Sequence, residues 1–259
     1  LSSTIASSHD IYPRIVCEWA DSEDETGKII DIEVAGNFAY LARGESGLAI
    51  VDIRNPKNTQ FTAALEGFAY ASTVKVSDRY AFVIDKHPGD ESARGSLVIV
   101  DISDPEVLSE VARFETEAQA IAIDWPHVFL VGLEDGLQVL DVENVSDPEL
   151  IVSYDSIAGS DVVVDRPHAY IVNADEDVSV IDISRPDHPQ VVASYVMKNS
   201  PLIIRGVTQK NSARKLAISE NHLFVGAVGK RSDSPAWPIA DFDSLTRKML
   251  GIALRQLMR

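Results

Sequence analysis

The stretch SLVIVDISDP at residues 96–105 decides the fold, because variants of it recur along the chain. The other copies are GLAIVDIRNP at 47–56, GLQVLDVENVSDP at 136–148 and DVSVIDISRP at 177–186. Each is an apolar, β-branched run that ends in Asp and is followed by Pro, which is typical of a strand and the turn after it. A unit repeated about every 40–50 residues predicts a repeat architecture.

Three more apolar runs accompany each copy, so the unit holds four short strands. In the second unit they are TVKV at 73–76, YAFVI at 80–84 and EVARF at 110–114. One such sheet cannot bury both faces, whereas sheets packed radially bury each face against a neighbour. A β-sandwich would not need the same strand order four times. The sequence therefore predicts an all-β propeller, with five blades because the run before the signature occurs five times.

The run LVIVD at residues 97–101, followed by ISDP, resembles the signature of the LVIVD-repeat family of β-propeller proteins. The resemblance is good over residues 12–197 and poor over 199–244. Since members of that family are often exported or bound to a cell surface, it implies an extracellular or periplasmic location. It supplies no catalytic residues, so no activity follows from it.

The two ends of the chain suggest how the ring closes. We predict a propeller over residues 1–244, in which YPRIVCEWAD at 12–21 is a fourth strand that completes blade five. Residues 245–259 are basic and show helical spacing of apolar residues, which predicts an amphipathic helix. The alternative is that 249–257 supplies the fourth strand itself. Because the chain begins with Leu1 inside a repeat, we expect a trimmed form or part of a longer surface protein.

Charge limits the classes of partner. The chain has 23 basic and 40 acidic residues, a net charge of −17, which excludes nucleic acid as a main partner. Residues 198–259 alone carry 11 basic and 4 acidic residues, so this quarter has a charge of 11 − 4 = +7. We expect it to suit an acidic partner, a membrane surface or another copy of the chain. No apolar run is long enough for a transmembrane helix, and one cysteine, Cys17, excludes an internal disulfide.

One face of the propeller collects most of the candidate binding residues. The loops between second and third strands lie on the same face as the connections between blades, and here both are rich in carboxylates. Such a face suits a basic protein or a surface polymer, unless it is only a solvated acidic rim. The longest loop, 86–94, is the strongest single candidate. The predicted partner-binding residues are Arg43, Glu45, Lys86, His87, Asp90, Glu91, Arg94, Glu134, Asp135, Asp175, Glu176 and Asp177.

No motif points to catalysis. The repeated aspartates at 52, 101, 141 and 182 are expected to shape turns, and His127, His168 and His222 belong to different blades, so neither set predicts a metal site. No loop has the alternating carboxylates of a calcium site. We predict a non-catalytic binding or scaffold module with no metal and no cofactor. The alternative is a propeller enzyme, a metal-assisted hydrolase or lyase, with its site at the mouth of the central channel.

Overall fold

A computed structural model gives the structure of residues 28–89, 94–175, 177–196, 202–204, 207–219 and 222–230. Four four-stranded antiparallel sheets follow one another, each with its strands paired in chain order. Blade 1 contains β1 (Asp31–Ala35), β2 (Phe38–Ala42), β3 (Leu48–Asp52) and β4 (Gln60–Leu65). Blade 2 contains β5 (Ala71–Ser77), β6 (Tyr80–Asp85), β7 (Ser96–Asp101) and β8 (Ser109–Glu115).

The next two blades repeat this order, and a fifth sheet of three strands follows them. Blade 3 contains β9 (Ala118–Asp124), β10 (His127–Gly132), β11 (Leu137–Asp141) and β12 (Glu149–Tyr154). Blade 4 contains β13 (Gly159–Asp165), β14 (His168–Asn173), β15 (Val178–Asp182) and β16 (Gln190–Tyr195). The fifth sheet contains β17 (Leu202–Ile204), β18 (Val207–Ser219) and β19 (His222–Lys230).

These sheets confirm the predicted all-β propeller. Among the described residues there is no helix, and so none that could span a membrane. The segments on which ring closure and the blade count depend, 12–21 and 249–257, lie outside the described residues, as does the predicted helix at 245–259. A closed ring of five blades therefore stays a prediction.

The core lies between blades rather than within them. Successive side chains of a strand point to opposite faces, so the third strands, apolar on both faces, pack against both neighbours. Val100 belongs to the cluster shared by blades 1 and 2, whereas the adjacent Ile99 belongs to the cluster shared by blades 2 and 3. Val139 lies between blades 3 and 4, and both valines have no exposed surface. Val100 and Val139 are therefore buried between blades.

The repeated aspartates shape turns, as predicted. The carboxylates of Asp52, Asp101, Asp141 and Asp182 each accept the backbone N–H two residues later, at 2.9, 2.8, 2.7 and 2.8 Å. Such a bond ends the third strand and starts the turn that contains the proline. All four carboxylates are therefore engaged on the face opposite the loops between second and third strands.

Candidate partner-binding face

Blades 1, 3 and 4 build the loop between their second and third strands in the same way. Each loop is closed by a backbone hydrogen bond across five residues, with N···O distances of 2.8 Å (Arg43 to Gly47), 2.9 Å (Gly132 to Gly136) and 2.9 Å (Asn173 to Asp177). Gly47 and Gly136 have φ of +72° and +66°, and a Cβ at either would lie 2.2 or 2.1 Å from a backbone carbonyl oxygen. The loop frame therefore requires glycine at these two positions.

The shared frame places an acidic residue at the same point of all three loops. Glu45, Glu134 and Asp175 each stand two residues after the residue that donates the closing hydrogen bond. All three are exposed, and their carboxylates accept no hydrogen bond from another residue of the described ranges. They are free to contact a partner without loss of a bond that the fold uses.

Two of the predicted partner-binding residues lie beneath the loops instead. Arg43 and Asp177 are only 6% and 7% exposed. The Arg43 guanidinium donates a hydrogen bond to the Ser46 carbonyl at 3.0 Å, which braces the loop of blade 1. In blade 4 the Asn173 amide oxygen accepts the N–H groups of Asp175 and Asp177. This role of Asn173 could not be predicted from its position at the end of the second strand. These residues hold the loops in position.

Arg94 and Asp135, from different blades, are brought together at the rim between blades 2 and 3. The Arg94 Nη2 atom lies 2.6 Å from the Asp135 Oδ2 atom, which also accepts the Glu117 N–H at 2.8 Å. Glu117 in turn accepts the Gly95 N–H at 2.9 Å. This chain of bonds ties the end of the long loop of blade 2 to blade 3, so both predicted residues have a structural partner already.

Five predicted residues remain: Lys86 is half-buried, and the other four divide into two groups. His87 is exposed, whereas Asp90, Glu91 and Glu176 lie outside the described residues.

The three histidines considered above as metal ligands begin β10, β14 and β19, and so belong to different sheets, as expected. In the described part of the chain no three His, Cys, Asp or Glu side chains are grouped as a metal ion would require.

Charged residues from several blades lie close together near the start of the inner strands, which are the first strands of the blades. Lys86 is half-buried, and its pKa is lowered first by loss of hydration and then by the charge of Lys215, with Glu117 acting in the opposite sense. The Lys215 ammonium lies 3.1 Å from one oxygen of Asp161, whose other oxygen accepts the Leu216 N–H at 2.6 Å. Asp161 and Lys215 were not among the predicted site residues, although a charged residue within an otherwise apolar inner strand was a signal that could have identified them.

A pocket of about 340 Å³ lies on the opposite face, at the turn after β11. Its lining is acidic and polar and consists of Asp141, Glu143, Asn144, Asp147 and Glu149. Asp141 is engaged with the Glu143 N–H, so this pocket is built on one of the repeated turns.

Comparison with solved structures places the chain among propeller-like proteins at low sequence identity. A functionally unknown protein from Desulfotomaculum acetoxidans is 18% identical with a TM-score of 0.59, over 79% of this chain and 67% of that one. A protein from Lactobacillus plantarum is 13% identical with a TM-score of 0.58, over 78% and 64%. The computationally designed Ika8 protein is 15% identical with a TM-score of 0.55, over 77% of this chain and 55% of that one. These likenesses show the fold.

The chain thus spans about half the length of the designed protein and about two thirds of the two natural ones. No curated protein matches the sequence. The LVIVD repeat matches it four times, at residues 26–62, 69–116, 118–156 and 158–197. These four matches coincide with the four complete blades and cover more than half of the residues, and the chain belongs to the LVIVD-repeat family.

Proposed function

We propose that this protein is a non-catalytic binding module of a secreted or surface protein, and that it recognises a basic partner through the loop face. The loop face is defined by Glu45, Glu134 and Asp175 at equivalent positions of blades 1, 3 and 4. The observation that carries the proposal is that these three exposed carboxylates have no hydrogen-bond partner among the described residues. An array of carboxylates held on one rigid frame is complementary to lysine or arginine side chains.

The two faces of the propeller use their acidic residues differently. On the opposite face the repeated aspartates accept backbone N–H groups and end the third strands. On the loop face the frame is closed by backbone bonds and braced by the Arg43 and Asn173 side chains, so the acidic side chain at the tip does not contribute to it. A side chain that the fold does not need, repeated in three blades, favours a role in recognition.

A charge-neutral triple variant tests the proposal. We expect Glu45→Gln, Glu134→Gln and Asp175→Asn together to weaken binding of an immobilised decalysine peptide by about tenfold at low salt, because each exposed pair contributes about 0.5 kcal/mol. The matched control is Glu106→Gln, Glu143→Gln and Glu149→Gln, which removes the same charge from exposed side chains on the opposite face. Equal weakening by both triples would show that net charge, not the loop face, attracts the peptide.

The gathering of charges at the start of the inner strands supports a second candidate, a small-molecule or catalytic site at the channel mouth. Within the described residues, no carboxylate lies within ion-pair distance of the Lys86 ammonium. A half-buried lysine whose pKa is lowered is suited to act as a base or nucleophile. Lys86, Asp161 and Lys215 come from different sheets, which supports a site at the channel mouth.

The pH dependence of amine labelling tests this candidate. We expect the labelling midpoint of Lys86 to lie below that of exposed Lys57, as measured by mass spectrometry after brief acetylation over a pH series. Lys215→Gln should raise the midpoint of Lys86, because it removes a neighbouring positive charge. Identical midpoints for Lys86 and Lys57 would rule the candidate out.

A further inference from the structure

A tryptophan stands where the fold does not require one. Trp125 occupies the first position of the two-residue turn between β9 and β10 and is 45% exposed. The equivalent positions of blades 1, 2 and 4 are Gly36, Asp78 and Arg166. Gly36 and Asp78 have positive φ and build a different turn, whereas Arg166 precedes a proline as Trp125 does. Since arginine serves the proline-containing turn of blade 4, the aromaticity of Trp125 is not needed to form it.

The indole of Trp125 is braced from blade 2. The Tyr80 ring is nearly parallel to it, with an interplanar angle of 4° and 6.4 Å between ring centroids. The Arg79 guanidinium lies over the Tyr80 ring at 5.2 Å and forms an ion pair of 2.7 Å with Asp101. Stacking of this kind fixes the orientation of the exposed indole before any ligand arrives.

Polar groups border the indole on the side of blade 4. Asp124, the neighbour of Trp125 in sequence, forms an ion pair with Arg166. The Arg166 Nη2 atom also lies 3.5 Å from the His127 Nδ1 atom, and the Arg166 side chain is 43% exposed. Hydrogen-bond donors and acceptors therefore stand beside an apolar ring, while the charges on either side of it are already paired.

We propose that Trp125, Arg166 and Asp124 form a binding site for a neutral saccharide on the face opposite the loop face. A pyranose ring has an apolar C–H face, which packs against an indole, and an edge of hydroxyl groups, which bond to a carboxylate or a guanidinium. Arg79 is paired with Asp101 and Arg166 with Asp124, so neither guanidinium is left to attract an anion, which favours a neutral ligand over an anionic one.

The same observations argue against the other ligands of aromatic surfaces. Proline-rich peptides use grooves lined by several aromatic rings, whereas here one exposed indole is bordered by ion pairs. Single-stranded nucleic acid also stacks on aromatic rings, but it requires a basic groove that a chain of charge −17 does not favour. This site is independent of the proposed function of the loop face.

Calorimetric titration with defined oligosaccharides tests the proposal. The probes are cellohexaose, chitohexaose, laminarihexaose and mannohexaose, with a decaproline peptide as the competing ligand class. We expect at least one hexasaccharide to bind, and Trp125→Ala to weaken that binding by about tenfold or more, as loss of a stacking ring does elsewhere. Leu133→Ala, which removes a 50% exposed apolar side chain from the loop face, should leave the affinity unchanged.

Two further variants separate binding from folding. Trp125→Ala should melt within a few degrees of the wild type, because blade 4 builds the same proline-containing turn without an aromatic residue. Arg166→Lys keeps the charge but loses the planar fork, so we expect it to weaken the saccharide without changing the stacking of Trp125 on Tyr80. The proposal is overturned if no hexasaccharide binds, if decaproline binds in their place, or if Trp125→Ala binds as well as the wild type.

Discussion

The two outer interfaces, between blades 1 and 2 and between blade 4 and the fifth sheet, share a hydrogen bond that, among the described residues, the two middle interfaces lack. In each outer interface, an aspartate on the inner strand of one blade accepts a hydrogen bond from a backbone N–H group of the next sheet. Asp31 bonds to Val74 at 3.0 Å, and Asp161 bonds to Leu216 at 2.6 Å. The same inner-strand position is Ala120 in blade 3, which has no side-chain oxygen to offer.

The middle interfaces are held in other ways. Between blades 3 and 4 the packing leaves no room for a side chain at Gly159, where a Cβ would lie 2.9 Å from the Val131 Cγ1 atom of blade 3 and 2.5 Å from Ile171 Cγ2 and the Val172 carbonyl oxygen of its own blade. Between blades 2 and 3 the ion pair of Arg94 with Asp135 joins the rims. The apolar clusters are common to all four interfaces, whereas the outer interfaces share the aspartate bond and each middle interface has a feature of its own. A repeated strand order thus fixes the core and leaves the interface bond free to vary.

The largest effect is expected from a charge placed in a shared cluster. Val100→Asp should lower the free energy of unfolding by about 4 kcal/mol, because it buries an unpaired carboxylate between blades 1 and 2. Val107→Asp, at a residue 67% exposed, should change it by less than about 0.5 kcal/mol. Urea denaturation measures both, and an unchanged midpoint for Val100→Asp would contradict the assignment of its strand.

A smaller loss should follow at the closely packed interface. Gly159→Ala places a methyl group against Val131 of blade 3 and against Ile171 and Val172 of its own blade, and it should cost about 2–3 kcal/mol. Gly226→Ala is the control, because a Cβ there would meet its nearest neighbour, the Lys215 carbonyl oxygen, at an ordinary 3.5 Å. If thermal unfolding showed the two variants to be equally stable, close approach would not distinguish this interface from the others.

At Asp161 the contribution of the hydrogen bond to Leu216 can be separated from that of the ion pair with Lys215. Asp161→Ala leaves the Leu216 N–H without its acceptor and should cost about 1–3 kcal/mol, whereas Asp161→Asn retains an acceptor oxygen and should cost less than half of that. Asp31→Ala should behave like Asp161→Ala at the other outer interface. Chemical denaturation of the three variants gives the comparison, and a loss for Asp161→Asn as large as for Asp161→Ala would assign the effect to the ion pair with Lys215.

The smallest effect concerns the turn after β7. Hydrogen bonds from Ser103 and Arg79 lower the pKa of Asp101 to about 2, below its unfolded value near 4. The unfolded chain therefore takes up the proton first, and the stabilisation present above about pH 4 is lost as the pH falls towards 2. Asp101→Asn should flatten this part of the profile of melting temperature against pH. A profile as steep as that of the wild type would contradict it.

The sequence predicts the strands and turns well, because the residues that determine them are local. The apolar third strands and the Asp–Pro turns follow from short runs such as 97–101. Burial of individual loop residues was not predictable, because Arg43 and Asp177 resemble exposed loop residues until the loop frame is known. The contact between Tyr80 and Trp125 was not predictable either, because it joins side chains of two different blades that are distant in sequence.

The five-residue loop of blades 1, 3 and 4 has a consequence for engineering. Its closing bond joins backbone atoms, and in blades 1 and 3 its glycine requirement falls at the end of the loop, so the tip is chemically independent of the blade beneath it. Randomising Glu45 and Glu134 would create a library of surfaces on an unchanged scaffold, much as antibodies vary their loops on a constant sandwich. The same independence would let natural selection alter the specificity of this face one blade at a time.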